Sequence, residues 1–178
     1  MFARTPRLTL RPGWAEDAAA LTTAIAHEAV VANLAQAPWP YRLSDAQRFL
    51  AQPVPAGGVR CLVFDDPSGT PRLVGGVAIE RGGDVPEFGY WFTPDAWGRG
   101  YASEAGAAVV AIARDTLRLR RLVATPARDN PASARVLAKL GFTPAGRGEH
   151  WFAARGRMVA CDRFERELGA SVGLSIAA

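Results

Sequence analysis

Between residues 87 and 116 the chain runs from a strand-like segment, Glu87 to Phe92, through Thr93-Pro94 into Trp97-Gly98-Arg99-Gly100-Tyr101-Ala102. It then enters a stretch whose Ala105, Ala108, Val109, Ile112 and Thr116 share one helical face. The spacing predicts strand, glycine loop, helix. Such a junction gathers unpaired backbone N–H groups and a helix N-terminus at one point, a place suited to phosphate. The alternative is an ordinary tight turn. A dinucleotide-binding arrangement would put the loop after the first strand, with an acidic residue about 20 positions further on. Here the loop lies mid-chain and Arg120 and Arg121 occupy that region, while no G-K-[ST] motif occurs anywhere.

The segments around this junction read clearly. Arg7 to Arg11 alternates polar and apolar before Pro12-Gly13, which predicts a short strand. From Glu16 to about Leu34, apolar residues at Ala18, Leu21, Ile25, Ala29 and Leu34 predict one helix, stopped by Pro38-Trp39-Pro40. Ser44-x-x-Gln47 has capping-box spacing and predicts a second helix to about Gln52. Strands follow at Val59 to Phe64 and Arg72 to Glu80, joined by the turn-forming residues 65–69, with a further turn at 81–84 before Glu87. Leu122 to Thr125 is another strand. Asn130-Pro131 supplies an N-cap and first-turn proline for a helix closed by Gly141, and Phe142 onward gives one or two more strands, the last near Met158 to Glu165. The sum is a mixed α/β (α+β) fold whose sheet is antiparallel first and partly parallel later, flanked by helices. We expect a single domain over 1–168 and a flexible tail over 169–178.

Composition narrows the partners. Hydrophobic residues make up 49% and charged ones 21% of 178 residues, which excludes disorder and repeats of collagen type. The longest apolar stretch, Ala18 to Ala37, is interrupted by His27, Glu28 and Asn33, and the N-terminus lacks a signal-peptide pattern, so a cytoplasmic protein without a membrane partner is expected. Cys61 and Cys161 stand a hundred positions apart with no CxxC pair or His cluster, giving no basis for a metal site. The formal charge of +4 comes from scattered arginines, Lys139 being the one lysine; without a basic run, acidic ligands such as phosphates fit better than nucleic acid.

Four segments, in order and spacing, resemble one family. They are Thr5-Pro6-Arg7-Leu8-Thr9-Leu10-Arg11-Pro12, Glu87-Phe88-Gly89-Tyr90-Trp91-Phe92, the run from Pro94 through Trp97-Gly98-Arg99-Gly100-Tyr101-Ala102-Ser103 to Ala105, and the run from Asn130-Pro131-Ala132-Ser133 to Gly141-Phe142. Together they resemble the GNAT superfamily of acetyl-coenzyme A dependent N-acetyltransferases, in its RimJ/RimL-like branch. The resemblance implies that backbone amides of Trp97, Gly98, Arg99, Gly100, Tyr101, Ala102 and Ser103 hold the pyrophosphate of acetyl-coenzyme A. Trp97 stands where the family more often has Gln or Arg. It implies further that Trp91 and Phe92 run beside the pantetheine arm, and that Asn130 bonds that arm, a role that coexists with N-capping.

The implied reaction is attack of a neutral amine on the thioester, with a backbone N–H near the end of the Glu87 to Phe92 strand stabilising the oxyanion. Primary amines are mostly protonated at neutral pH, so a base or water chain must take a proton. Glu87 is the first candidate and a plain surface carboxylate is its alternative; Asp84 and Glu149 rank behind it. Many GNAT proteins carry a tyrosine seven positions after the asparagine, to meet the departing thiolate, but this chain has Leu137 there. Ser133 is what the branch offers instead, with a small polar residue of the first helical turn as its alternative. Trp39 and Tyr41 either border the amine or cover the core, and His27 and His150 are read as structural. The partners implied are acetyl-coenzyme A and an amine acceptor, the chain being a monomer or homodimer. The competing function is a non-catalytic acyl-coenzyme A binding module, motivated by the missing tyrosine.

Overall fold

A computed structural model describes residues 1–66, 69–81 and 83–169; the turn residues at 67, 68 and 82 and the tail from 170 lie outside the described residues. Eight strands form one mixed sheet: β1 (Ala3–Arg4), β2 (Leu8–Arg11), β3 (Val59–Asp65), β4 (Arg72–Glu80), β5 (Glu87–Phe92), β6 (Arg121–Ala124), β7 (Thr143–Phe152) and β8 (Arg157–Glu167). Their order is β1-β2-β3-β4-β5-β6-β8-β7. The first five pair antiparallel, as do β6 with β8 and β8 with β7. The β5–β6 pair is parallel and its register holds one residue pair, Glu87 with Val123. Beyond that rung the two strands part.

Helices cover both faces. On one lie α1 (Ala18–Ile25), α2 (Glu28–Val31) and α3 (Leu43–Ala51), whose Leu21, Ile25, Val31 and Ala46 are buried with Leu62 and Leu73 of the sheet. On the other, α4 (Tyr101–Asp115) buries Ala105, Val109 and Ala113 against Val77, Ile79 and Phe88, and α5 (Pro131–Lys139) adds Leu137 to the same core. The 15 residues of α4 supply the long crossover that a parallel pair requires.

Two expectations need correction. The helix foreseen from Glu16 to Leu34 is broken at Ala26 and His27, where the backbone leaves the helical region and His27 becomes extended. In an unbroken helix the face carrying Ala18, Leu21 and Ile25 would continue through Glu28, Ala29 and Ala32, leaving Val30 and Val31 outside. The break rotates α2 so that both valines are buried. The cap of α3 is also different: Arg42, not Ser44, is the N-cap, and Asp45 accepts the Arg42 N–H at 2.9 Å, leaving Gln47 without that role. A carboxylate one turn inside satisfies an orphan donor and sits favourably against the helix dipole.

Candidate active site

The loop from Trp97 to Gly100 is shaped by two glycines in the left-handed region, Gly98 at φ +74° and Gly100 at φ +78°, the latter being the N-cap of α4. None of the backbone N–H groups from Gly98 to Ser103 donates to another protein group among the described residues. Six N–H groups without an internal acceptor therefore lie at and before a helix N-terminus. Free donors of this kind suit a diphosphate, and a Cβ at Gly98, which lines the groove described below, would meet nothing within 4 Å.

Side chains fix this loop from three directions. Trp97 donates its indole Nε1–H to the Phe92 carbonyl at 2.8 Å, tying the loop to the end of β5. Asp65, 1% exposed, accepts Nε and Nη2 of Arg72 at 3.3 and 3.2 Å and the Tyr101 hydroxyl at 3.3 Å. Arg72 also bonds Asp95, and these carboxylates hold its guanidinium charged far beyond neutral pH. From the N-terminal arm, Arg7 donates to the Arg99 carbonyl at 2.9 Å, and its amide and Nε reach Glu104 at 3.0 and 2.7 Å, beside the Thr5 hydroxyl at 2.6 Å. Burial alone would raise the Glu104 carboxyl, but these donors outweigh it and hold it below the ordinary carboxylate range.

Where β5 and β6 part, a groove of about 710 Å³ opens. It is lined by Tyr90, Trp91 and Phe92, by Trp97 and Gly98 with Gly100 to Ser103, and by Asn130 and Ser133 at the start of α5. Most of the cofactor-binding residues expected from sequence are brought together here. Arg99 contributes its carbonyl to the Arg7 clamp rather than a side chain to the groove. Asn130 caps α5, its Oδ1 accepting the Ser133 N–H at 3.2 Å. A second cavity, about 590 Å³, lies on the α1–α3 side of β5 and meets the first at Leu34, Tyr90 and Trp91. Tyr41 lines it, and burial pushes that phenol up to about 12; Trp39 is exposed and does not border it.

The two catalytic candidates do not meet. Glu87, at the exposed start of β5, accepts a hydrogen bond from the Thr125 hydroxyl and lines the second cavity, together with a polar one that Asp84 borders. Glu149 lies on the exposed strand β7, outside all three cavities. Ser133 lies on the groove side, its Oγ 3.0 Å from the hydroxyl of Tyr90. Sequence reasoning passed over Tyr90. Its phenol lines the groove beside Ser133, whereas Leu137 is 1% exposed in the core. Burial raises the Tyr90 hydroxyl above its ordinary value despite the bond to Ser133, so it keeps its proton at neutral pH. Among the described residues no group of His, Cys, Asp and Glu is arranged to hold a metal ion.

A mixed sheet split at one rung, with a donor-rich loop beside a groove at the fork, is a class of architecture suited to an elongated phosphorylated ligand. The model of the acetyltransferase (GNAT) domain matches residues 7–143, and the chain belongs to this family. Over 60 residues it is 42% identical to an uncharacterized N-acetyltransferase, YoaA, of Bacillus subtilis, a match that spans 34% of each chain, about a third of that relative's length. Among solved structures it is similar to a GNAT-family acetyltransferase from Bacillus anthracis, with TM-score 0.80, 22% identity and coverage of 94% of this chain and 99% of that one. It is also similar to a spermidine N-acetyltransferase from Vibrio cholerae in complex with CoA and spermine, with TM-score 0.76, 18% identity and coverage of 92% and 97%.

Proposed function

We propose that the chain, as a member of the RimJ/RimL-like branch, transfers the acetyl group of acetyl-coenzyme A to a primary amine. The observation that carries this is the meeting of two cavities at Tyr90 and Trp91, one reaching the donor loop and the other open to a second substrate. In this reading the amides of Gly98 to Ser103 take the diphosphate, and the part of β5 at Trp91 and Phe92, beyond its one rung with β6, runs beside the pantetheine arm.

The chemistry follows from the two faces of β5. An ammonium entering beside Glu87 gives up a proton to its carboxylate, directly or through water, and the free amine attacks the thioester carbon. A backbone N–H at the end of β5 stabilises the oxyanion, the C–S bond breaks, and the departing thiolate takes a proton from the Tyr90 hydroxyl, which Ser133 orients, while the second proton shed by the amine nitrogen as the amide forms restores the phenol through water. The products are an amide, free coenzyme thiol and the proton released from Glu87.

A screen of amines with acetyl-coenzyme A, following thiol release, tests this. An acceptor-dependent rate is the expected result; binding of the donor without turnover on any amine would instead favour a non-catalytic acyl-coenzyme A module. On a confirmed acceptor, Glu87→Gln should lower the rate roughly a hundredfold at neutral pH. The defect should shrink as pH rises toward the amine's own pKa, where neutral amine arrives unaided. A fully active variant would remove Glu87 from the mechanism. We place the protein in the cytoplasm; no helix among the described residues is long and apolar enough to cross a membrane. It acts alone or as a homodimer, β7 being the exposed sheet edge.

A further inference from the structure

The second cavity carries information about the acceptor itself. Residues two apart on a strand share a face, so Glu87, Gly89 and Trp91 form one row of β5, while Phe88, Tyr90 and Phe92 form the other. Contacts agree with this parity: the second row stacks together, with ring centroids 5.8 and 6.3 Å apart, and packs in the α4 core, whereas Trp91 packs with the α1–α3 core. Within the first row, the Trp91 indole lies over Gly76, its register partner on β4. A Cβ at Gly89 would meet nothing within 4 Å. The row is therefore carboxylate, gap, indole, and the gap opens into the cavity.

Two of the three carboxylates lining that cavity are already matched. Glu80 is held by both Nε and Nη2 of Arg60 at 3.0 and 3.2 Å, and Arg60 lies over the Phe49 ring. Asp45 is held by Arg48 and the Arg42 amide. Glu87 alone of the lining carboxylates has no cationic partner among the described residues. Apart from the amides of Gln36 and Gln52, the remaining wall is largely apolar and aromatic, with Leu21, Ile25, Leu34, Tyr41 and Phe49 among its lining.

Resting on the transfer reading above, we propose that this cavity selects a primary monoamine on an uncharged apolar body, with the ammonium at Glu87, the body over the α1 and α3 side chains, and Gly89 as the residue that keeps the entry open. A polyamine would bring further ammonium groups into a wall whose other carboxylates are taken. Each would have to displace a guanidinium or find at best a neutral amide of Gln36 or Gln52 in place of a counter-charge, and burying a charge without one is strongly unfavourable. An arylalkyl or branched alkyl body loses nothing there and gains from leaving water.

Two probes decide it, 2-phenylethylamine and spermidine, each measured by thiol release with acetyl-coenzyme A and by calorimetry on protein loaded with unreactive coenzyme A. The expected result is a kcat/KM at least tenfold higher for 2-phenylethylamine and tighter calorimetric binding of it. Gly89→Leu should raise its KM or Kd at least tenfold, Gly89→Ala should fall between, and coenzyme affinity should stay unchanged in both, since Gly89 does not border the coenzyme groove. Comparable or better use of spermidine overturns the proposal, as does an amine affinity indifferent to Gly89→Leu in a protein with unchanged coenzyme binding. Selective binding of 2-phenylethylamine without acetylation would uphold the cavity assignment and defeat the transfer reading alone.

Discussion

Tyr90 and Ser133 come from segments 43 positions apart, and their hydroxyls stand 3.0 Å from each other in the wall of the groove. If the phenol protonates the thiolate only as the C–S bond breaks, Tyr90→Phe should lower kcat by about a hundredfold while coenzyme affinity barely moves. Ser133→Ala, which removes the partner but not the proton, should cost less, and the double variant should not fall below Tyr90→Phe by the product of the two effects. Steady-state kinetics beside calorimetric affinities check this; an unchanged kcat in Tyr90→Phe would return the pair to a packing role. Parity along β5 was legible in the sequence and already separates Glu87 from Tyr90. What was not legible is the approach of α5 to β5, because it depends on how far β5 and β6 diverge, and no local pattern records that.

At the scale of elements, the loop before α4 was the clearest feature of the sequence, since strand, two glycines and helix are all local signals. Its bracing was invisible there: Asp65 and Arg72 flank one hairpin, Arg7 lies in the N-terminal arm, and their convergence is a property of the sheet. Gly98→Ala should add local strain of about 1 kcal/mol for its left-handed backbone. It should also weaken acetyl-coenzyme A binding at least tenfold by intruding on the groove; equal affinity in calorimetry would make the loop an ordinary turn. The Thr5–Arg7–Glu104 clamp adds a pH dependence. A carboxyl depressed by folding contributes stability that is complete above its unfolded value, about 4.3, and is lost as pH falls through its lower folded value. Acid below about pH 4 should therefore release the arm and with it the loop. Thermal melts across that range should fall less steeply for Glu104→Gln than for the parent chain; parallel slopes would show that the clamp contributes nothing.

For the whole molecule, the antiparallel half, the crossover helix and the strands of the hairpin all stand near their expected boundaries, because alternation and turn residues determine them locally. The failure of the long first helix was tertiary, two valines drawing the chain into the core at the cost of helical continuity. Since the groove exists only in the folded state, acetyl-coenzyme A at a hundredfold excess over Kd should stabilise the protein by about 2.7 kcal/mol. For a chain of this size that is a rise in melting temperature of roughly 5 to 10 °C. A melting curve unmoved by millimolar ligand would contradict the groove assignment.

The single rung between β5 and β6 also sets the molecule's mechanical character. Under a load that separates the N-terminal five strands from the C-terminal three, one rung must bear what six bear between β4 and β5 and nine between β7 and β8. The seam would yield first, while α4 keeps the halves tethered. Compliance is thus concentrated along one line of the sheet, and the halves on either side stay stiff.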